Sequence, residues 1–224
     1  MAKPLSQIVS ELRAEGANIT HFRKEYIRDV DTANRLFELS VYFDRIDKLS
    51  KAVGRNAVVV VGKKRRFAWS PGNRSDFNYV EMGEFLFYFG VEFTGLSAPA
   101  THAPDVSIVH KKCPDRVLIA VECKHHPGKP LEKQEVMAFA STLIDLDRPI
   151  MFDSAGNEII YNGNFRRHYY CCYYKVNARL DADSIRRAYG DGRSCLATTA
   201  DSVAQNSNRV ANTFGFKIEQ RRFP

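Results

Sequence analysis

The sequence predicts one α/β domain built around a mixed β-sheet. Segments with strand character alternate with segments of helical periodicity from about residue 25 to the end of the chain. The length of 224 residues suits a single large domain, and the 44% of apolar residues is enough for a real core. We therefore expect a domain over residues 25–224, preceded by a helical extension over residues 1–24.

The first elements are a long helix and a buried strand. Residues 25–52 carry apolar side chains at steps of three and four, and Gly54 ends the pattern. Residues 57–61 form a β-branched run, which is typical of a buried strand. Residues 67–69 are expected to pair with that strand across the basic turn 62–66. The apolar positions of the helix are Leu36, Leu39, Val41, Phe43, Ile46 and Leu49.

The central elements include the most hydrophobic strand of the chain. A β-rich stretch covers residues 84–94, and a strand candidate follows at residues 105–110. A polar turn over residues 111–116 leads into the apolar run 117–121. Residues 131–146 then place apolar side chains on one helical face.

The last third gives weaker patterns, which predict a continuing alternation of strands and helices. The predicted strands are residues 159–161, 169–176, 194–198 and 214–219, and the predicted helices are residues 183–189 and 202–212.

The charge balance favours a polyanionic partner. Thirty-three Lys and Arg residues against 26 Asp and Glu residues give a formal net charge of +7. Nucleic acid is the commonest partner of such a surface, although charge alone does not establish one.

Cysteine usage and hydropathy indicate a reduced, cytoplasmic protein with no membrane partner. The five cysteines include no CxxC pair and show no disulfide framework. No apolar stretch approaches the roughly 18 residues of a membrane-spanning helix, and no signal peptide is evident.

Three charged residues stand at the ends of two predicted neighbouring strands. Asp105 opens one strand, whereas Glu122 and Lys124 close the next. In an antiparallel pair these two ends lie side by side, and residues two apart point to the same face. Two carboxylates provide hard oxygen ligands for Mg²⁺, and the backbone carbonyl of Cys123 offers another. A lysine beside them can stabilise charge on an attacked phosphate.

Pro104-Asp105, followed by Glu122-Cys123-Lys124, resembles the motif of the PD-(D/E)XK nuclease superfamily, which has the restriction-endonuclease-like fold. The resemblance implies a central mixed sheet flanked by helices, metal ligands at Asp105 and Glu122, and a catalytic lysine at Lys124. It implies Mg²⁺ as the cofactor, for which Mn²⁺ can substitute.

The resemblance extends beyond this motif. The helix at 131–146 follows the catalytic strand as in the family, and the strand, helix and strand over 194–219 look like the closing elements of enzymes that cut modified DNA. Glu38, which interrupts the apolar stripe of the first helix, fits the additional acidic ligand of the family. Glu81 and Glu84 are alternatives for that role.

Several other residues are candidates with an ordinary structural alternative. Gln134, on the helix after the motif, is either a residue near the site or a surface residue. The basic cluster Lys63, Lys64, Arg65 and Arg66 either binds phosphates or forms a solvated turn. His125 and His126 either contact phosphate or a second metal or lie in a loop. Adjacent residues of an extended chain point to opposite faces, which argues against a site shared by both and favours the loop.

We expect hydrolysis of DNA phosphodiester bonds in restriction or in another defence against foreign DNA. The expected partner is DNA, with a homodimer or a recognition protein as further possibilities. A nucleic-acid-binding subunit with a vestigial metal site and an RNA-cleaving effector stay open as alternatives.

Overall fold

The computed structural model describes residues 32–54, 56–64, 67, 71–95, 101–111, 113–146, 150–152, 158–160, 187–189 and 194–222. The extension at 1–24, the two arginines Arg65 and Arg66, and the predicted strand 169–176 lie outside these residues.

The main elements among the described residues are three α-helices and thirteen strands, with a short 3₁₀ helix at Arg74–Asp76. The helices are α1 (Thr32–Val53), α2 (Lys133–Leu146) and α3 (Gln205–Thr213). The strands are β1 (Val58–Val60), β2 (Tyr79–Met82), β3 (Phe85–Phe89), β4 (Phe93–Thr94), β5 (Thr101–His102), β6 (Val106–His110), β7 (Cys113–Lys124), β8 (Pro130–Leu131), β9 (Ile150–Phe152), β10 (Glu158–Ile160), β11 (Cys195–Thr198), β12 (Ser202–Val203) and β13 (Lys217–Gln220).

Seven of these strands form one mixed sheet in the order β1-β2-β3-β6-β7-β11-β13. Neighbours from β1 to β7 are antiparallel, whereas β7, β11 and β13 run parallel to one another. The predicted α/β class with a mixed sheet is confirmed.

Helices cover both faces of the sheet. On one face, α1 packs over β3, β6 and β7, and Val121 and Cys123 of β7 join its apolar cluster. On the other face, α2 and α3 pack together, and Ala120 of β7 and Leu196 of β11 join theirs. Alternate residues of β7 therefore point to different helical layers.

The β-rich stretch 84–94 is two strands rather than one. Gly90 separates β3 from β4 and has a φ of 58°, a left-handed conformation that glycine adopts without a steric cost. The backbone turns there, so β3 stays in the main sheet while β4 pairs with β5 in a small separate ladder.

Two other predicted elements differ in their pairing or bounds. β1 pairs with β2, and Gly62 beyond it lies so close to the Phe77 carbonyl that a Cβ would meet the oxygen at 2.3 Å. The predicted helix 202–212 begins three residues late, because Ser202 and Val203 form β12 beside β8. Residues 68–69, expected beside β1, lie outside the described part of the chain.

Within the described ranges, no helix combines the length and apolar character that crossing a membrane requires.

Candidate active site

The central strands bring Asp105 and Glu122 to the same end of the sheet. Val106 of β6 pairs with Val121 of β7 in the antiparallel ladder, so the next step outward places Asp105 beside Glu122. The Oδ2 atom of Asp105 accepts a 2.7 Å hydrogen bond from the backbone N–H of Cys123. The Nζ atom of Lys124 lies 2.9 Å from Oε1 of Glu122. The three predicted site residues are therefore close neighbours.

Strand β11 fixes the end of β7. The carbonyl of Lys124 accepts hydrogen bonds from Oγ1 of Thr198 at 2.9 Å and from the backbone N–H of Thr199 at 3.1 Å. The buried run before Glu122 holds the rest of the strand in the core. The site thus stands on a central strand that has partners on both sides, which is a rigid support.

Helix α1 brings a third carboxylate to this end of the sheet. Glu38 is buried and forms an ion pair with Arg35, one turn earlier in the helix. Burial raises the pKa of Glu38, and the charge of Glu122 raises it further, whereas Arg35 and Lys124 oppose the increase. Glu38 therefore lies within electrostatic reach of Glu122 and Lys124, and its role as a metal ligand stays a prediction.

Negative charge is crowded around Asp105. Burial raises the pKa of Asp105 well above its usual range, and the charges of Glu122 and Glu38 add to that effect. The Cys123 N–H and Lys124 act in the opposite direction and do not cancel it. Carboxylates in such an arrangement gain from a cation placed between them.

Lys124 is held in its charged form. Burial alone would lower the pKa of Lys124, but the charges of Glu122, Asp105 and Glu135 outweigh burial and raise it. The side chain therefore supplies a positive charge at this end of the sheet rather than a proton acceptor.

Asp105 and Glu122 offer oxygen atoms of the kind that Mg²⁺ takes as ligands. In the part of the chain that the structure describes, no group of three or more His, Cys, Asp or Glu side chains is arranged to hold a metal ion. Mg²⁺ is commonly bound by one or two carboxylates together with water and substrate phosphates. The hard oxygens of Asp105 and Glu122 are consistent with that smaller set, as is the raised pKa of Asp105, which has burial as its main cause and the charges of Glu122 and Glu38 as further ones.

The two histidines after the motif point to different layers. The ring of His125 lies 5.7 Å from that of Phe37 on α1, and its Nδ1 is 3.1 Å from Oγ1 of Thr199. Nε2 of His126 lies 2.7 Å from Oε1 of Glu135 on α2. The prediction that the pair does not share one site agrees with these contacts.

The other candidates are placed as follows. Gln134 is exposed at the start of α2. Glu81 is 3.0 Å from Lys111, on a strand three positions from β7. Lys63 and Lys64 follow β1 at the edge of the sheet, and Lys64 is 3.5 Å from Asp76. None of these contacts joins them to Asp105, and phosphate binding by Lys63, Lys64 and Gln134 stays a prediction.

Sequence reasoning missed Arg35 and Glu135. Arg35 stands three residues before Glu38, a spacing that places both on one side of a helix. Glu135 stands next to Gln134 but, unlike it, faces His126 and Lys124. A helical wheel could have identified Arg35, whereas Glu135 depends on the path of residues 125–132.

No family model, curated protein or solved structure matches the chain.

Proposed function

We propose that the protein is a divalent-metal-dependent nuclease that hydrolyses phosphodiester bonds of DNA. The observation that carries this proposal is the hydrogen bond from the Cys123 N–H to the Asp105 carboxylate. It joins the end of β7 to the start of β6, so that two carboxylates and a lysine stand together. Metal-dependent phosphodiester hydrolysis uses this combination of metal-binding oxygens and a fixed positive charge.

Asp105 and Glu122 would hold Mg²⁺, for which Mn²⁺ can substitute, with the carbonyl of Cys123 and the carboxylate of Glu38 as further oxygen donors. The ion, when bound, lowers the pKa of a coordinated water and offsets the charge that develops on the phosphate. Lys124 stabilises that phosphate charge electrostatically, and Glu122 keeps the ammonium in place through their 2.9 Å contact. Arg35 limits the repulsion between Glu38 and the other carboxylates.

We further propose the restriction-endonuclease-like fold. Its support is the switch from antiparallel to parallel pairing at β7, the motif strand, and the helix α2 that follows this strand. Helix α3 connects the parallel strands β11 and β13, in keeping with the closing elements that the resemblance implies.

DNA is the proposed substrate because the chain carries a net charge of +7. The residues proposed to bind its phosphates outside the centre are Lys63, Lys64, Arg65, Arg66 and Gln134. A two-fold homodimer would present two centres to the two strands of a duplex. Restriction, or another defence against foreign DNA, is the proposed role.

Cleavage of supercoiled plasmid and of methylated DNA tests this proposal. Wild type, Lys124→Ala and the control Lys217→Ala are compared in Mg²⁺, in Mn²⁺ and in chelator. Lys217 is a matched control because it also contacts a glutamate two residues away, at 3.0 Å, on a strand of the same sheet. We expect metal-dependent cleavage that Lys124→Ala reduces by at least about 100-fold and that Lys217→Ala leaves unchanged.

Two results would count against the proposal. DNA binding without cleavage in any metal would favour a binding subunit with a vestigial site. Cleavage of RNA but not of DNA under the same conditions would identify an RNA-cleaving effector instead.

A further inference from the structure

The imidazole of His126 is held in one orientation by contacts at its backbone and its ring. Its backbone N–H donates to Oγ1 of Thr199 at 2.9 Å, and its carbonyl accepts from the Lys129 N–H at 3.2 Å. Nε2 lies 2.7 Å from Oε1 of Glu135. Glu135 is fixed in turn, because its Oε2 accepts the backbone N–H of Glu132, the residue before α2. The ring is therefore anchored to the first turn of that helix.

The ring stands on the same side of the sheet as the candidate site. Glu122 and Lys124 alternate with Cys123, whose side chain joins the α1 layer. The alternation continues past the end of β7, since His125 contacts Phe37 of α1 and His126 contacts Glu135 of α2. The hydroxyl and amide of Thr199 bind His126 and Lys124, respectively, which keeps the two residues in register.

We propose that His126 is a substrate-binding residue, positioned by Glu135, that donates its Nδ1–H to a backbone phosphate beside the scissile bond. This inference rests on the proposed nuclease function. Among the described residues, no hydrogen bond to Nδ1 of His126 is present. An imidazole placed between a carboxylate and a phosphate can donate from both ring nitrogens, from Nε2 to Glu135 and from Nδ1 to a phosphate oxygen.

The position of His126 next to Lys124 supports a phosphate as the ligand. The two residues are two positions apart and are both held by Thr199, so a nucleic-acid strand with one phosphate at Lys124 can present a neighbouring phosphate to His126. The helix itself needs only one oxygen of Glu135 for its cap, and that oxygen is Oε2. The contact of Oε1 with His126 is therefore additional to the cap, and the side chain of His126 stays partly exposed to a ligand.

Two substitutions of His126 test the roles of its two ring nitrogens separately. His126→Asn places an amide near the position of Nδ1 and gives up the contact with Glu135. His126→Gln places an amide near the position of Nε2 and gives up Nδ1. We would measure binding of a fluorescent 20-base-pair DNA duplex to the full chain in Ca²⁺ and in chelator, together with KM and kcat for cleavage in Mg²⁺.

We expect His126→Gln to weaken DNA binding and to raise KM by about tenfold with kcat unchanged, whereas His126→Asn stays within about threefold of wild type. Weaker binding by His126→Asn than by His126→Gln would overturn the proposal, because the histidine would then act only through Glu135. A loss of kcat at constant KM in both variants would also overturn it, since proton transfer would be the role.

The same measurements distinguish a failure of the nuclease proposal from a failure of the proposal for His126. If the wild type binds the duplex and never cleaves it, the nuclease proposal fails, and the binding contrast between the two variants still tests the phosphate contact. If the wild type neither binds nor cleaves DNA, both proposals fail.

Discussion

Two Lys–Glu pairs on the same sheet have almost the same geometry and opposite surroundings. Glu122 and Lys124 of β7 are 2.9 Å apart with side chains 24% and 30% exposed. Glu219 and Lys217 of β13 are 3.0 Å apart with side chains 22% and 27% exposed. The two residues of each pair are two positions apart along their strand, so their side chains point to the same face of the sheet. What distinguishes them is the charge brought to each by the rest of the fold.

The pair on β13 belongs to a network in which cations surround a carboxylate. Glu219 contacts Arg45 at 2.7 Å and Arg221 at 2.9 Å, and Arg221 also contacts Asp44 at 2.8 Å. Burial alone would raise the pKa of Glu219, but these cations, with Lys217, hold it far below its usual range. Arg45 is only 2% exposed, and its guanidinium lies over the ring of Tyr189. Cations therefore balance the carboxylate charge in this region.

The pair on β7 belongs to a group in which carboxylates outnumber cations. Glu38, Asp105, Glu122 and Glu135 act on one another or on Lys124, with Arg35 and Lys124 as the opposing charges. Burial, with the charges of Glu122 and Glu38, raises the pKa of Asp105, whereas the cations around Glu219 lower its pKa despite burial. Such repulsion at one place in the sheet is consistent with the metal-binding role proposed for Asp105 and Glu122.

The largest expected difference between the two regions is in stability. Glu219→Ala leaves the buried guanidinium of Arg45 without its carboxylate partner, and we expect it to lower the free energy of unfolding by about 2 to 4 kcal/mol. Glu122→Ala removes one member of a crowded carboxylate group and should cost less than about 1 kcal/mol. Urea denaturation of both variants measures the contrast, and equal losses would contradict it.

A bound divalent metal ion should stabilise the folded protein only through the carboxylates around β7. At about 100 times its dissociation constant, Mg²⁺ or Mn²⁺ bound only to the folded state should stabilise the wild type by about 2.7 kcal/mol. Asp105→Asn should remove this gain, while its amide oxygen can still accept the Cys123 N–H. Thermal melts with and without metal give the measurement, and Glu219→Gln serves as the control that keeps the metal effect.

Lowering the pH should destabilise the protein mainly through Glu219 and Asp44, the carboxylates of the network around β13. The folded-state pKa of Glu219 is lowered, and that of Asp44 is also lowered because Lys48 and Arg221 outweigh the effect of burial. Their contribution to stability is therefore present above their unfolded pKa values of 4.5 and 3.8 and is lost as the pH falls below them. We expect wild type to lose about 2 kcal/mol more than Glu219→Gln between pH 5 and pH 3. Parallel losses in urea denaturation at the two pH values would show that other groups control acid sensitivity.

The contacts of Glu122 and Lys124 on β7 follow from the sequence far better than those of Lys217 and Glu219 on β13. An apolar run followed by Glu122 and Lys124 is a local pattern, and the alternation of a strand fixes which side chains share a face. Asp105 opens the preceding strand, which is joined to β7 by one antiparallel turn, so its position beside Glu122 also follows from the sequence. The contact between Arg45 and Glu219 joins residues 174 apart, and no local pattern indicates it.

The parts of the site that were missed depend on tertiary structure. Glu135 rather than Gln134 faces the site because of how residues 125–132 lead from β7 into α2, and β8 pairs with β12 along that path. Residues 84–94 divide into two strands because the backbone at Gly90 is left-handed. Amino-acid composition alone does not indicate this conformation.

The hydrogen bonds of Thr198 and Thr199 to the end of β7 also bear on how the protein is made. Lys124 leaves the ribosome more than seventy residues before these threonines do, so a chain still under synthesis carries Asp105, Glu122 and Lys124 without their anchor. A chain that stops short of residue 198 has the motif but lacks the hydrogen bonds that hold the Lys124 carbonyl. The end of β7 therefore gains its second set of partners only after β11 has been translated and has joined the sheet.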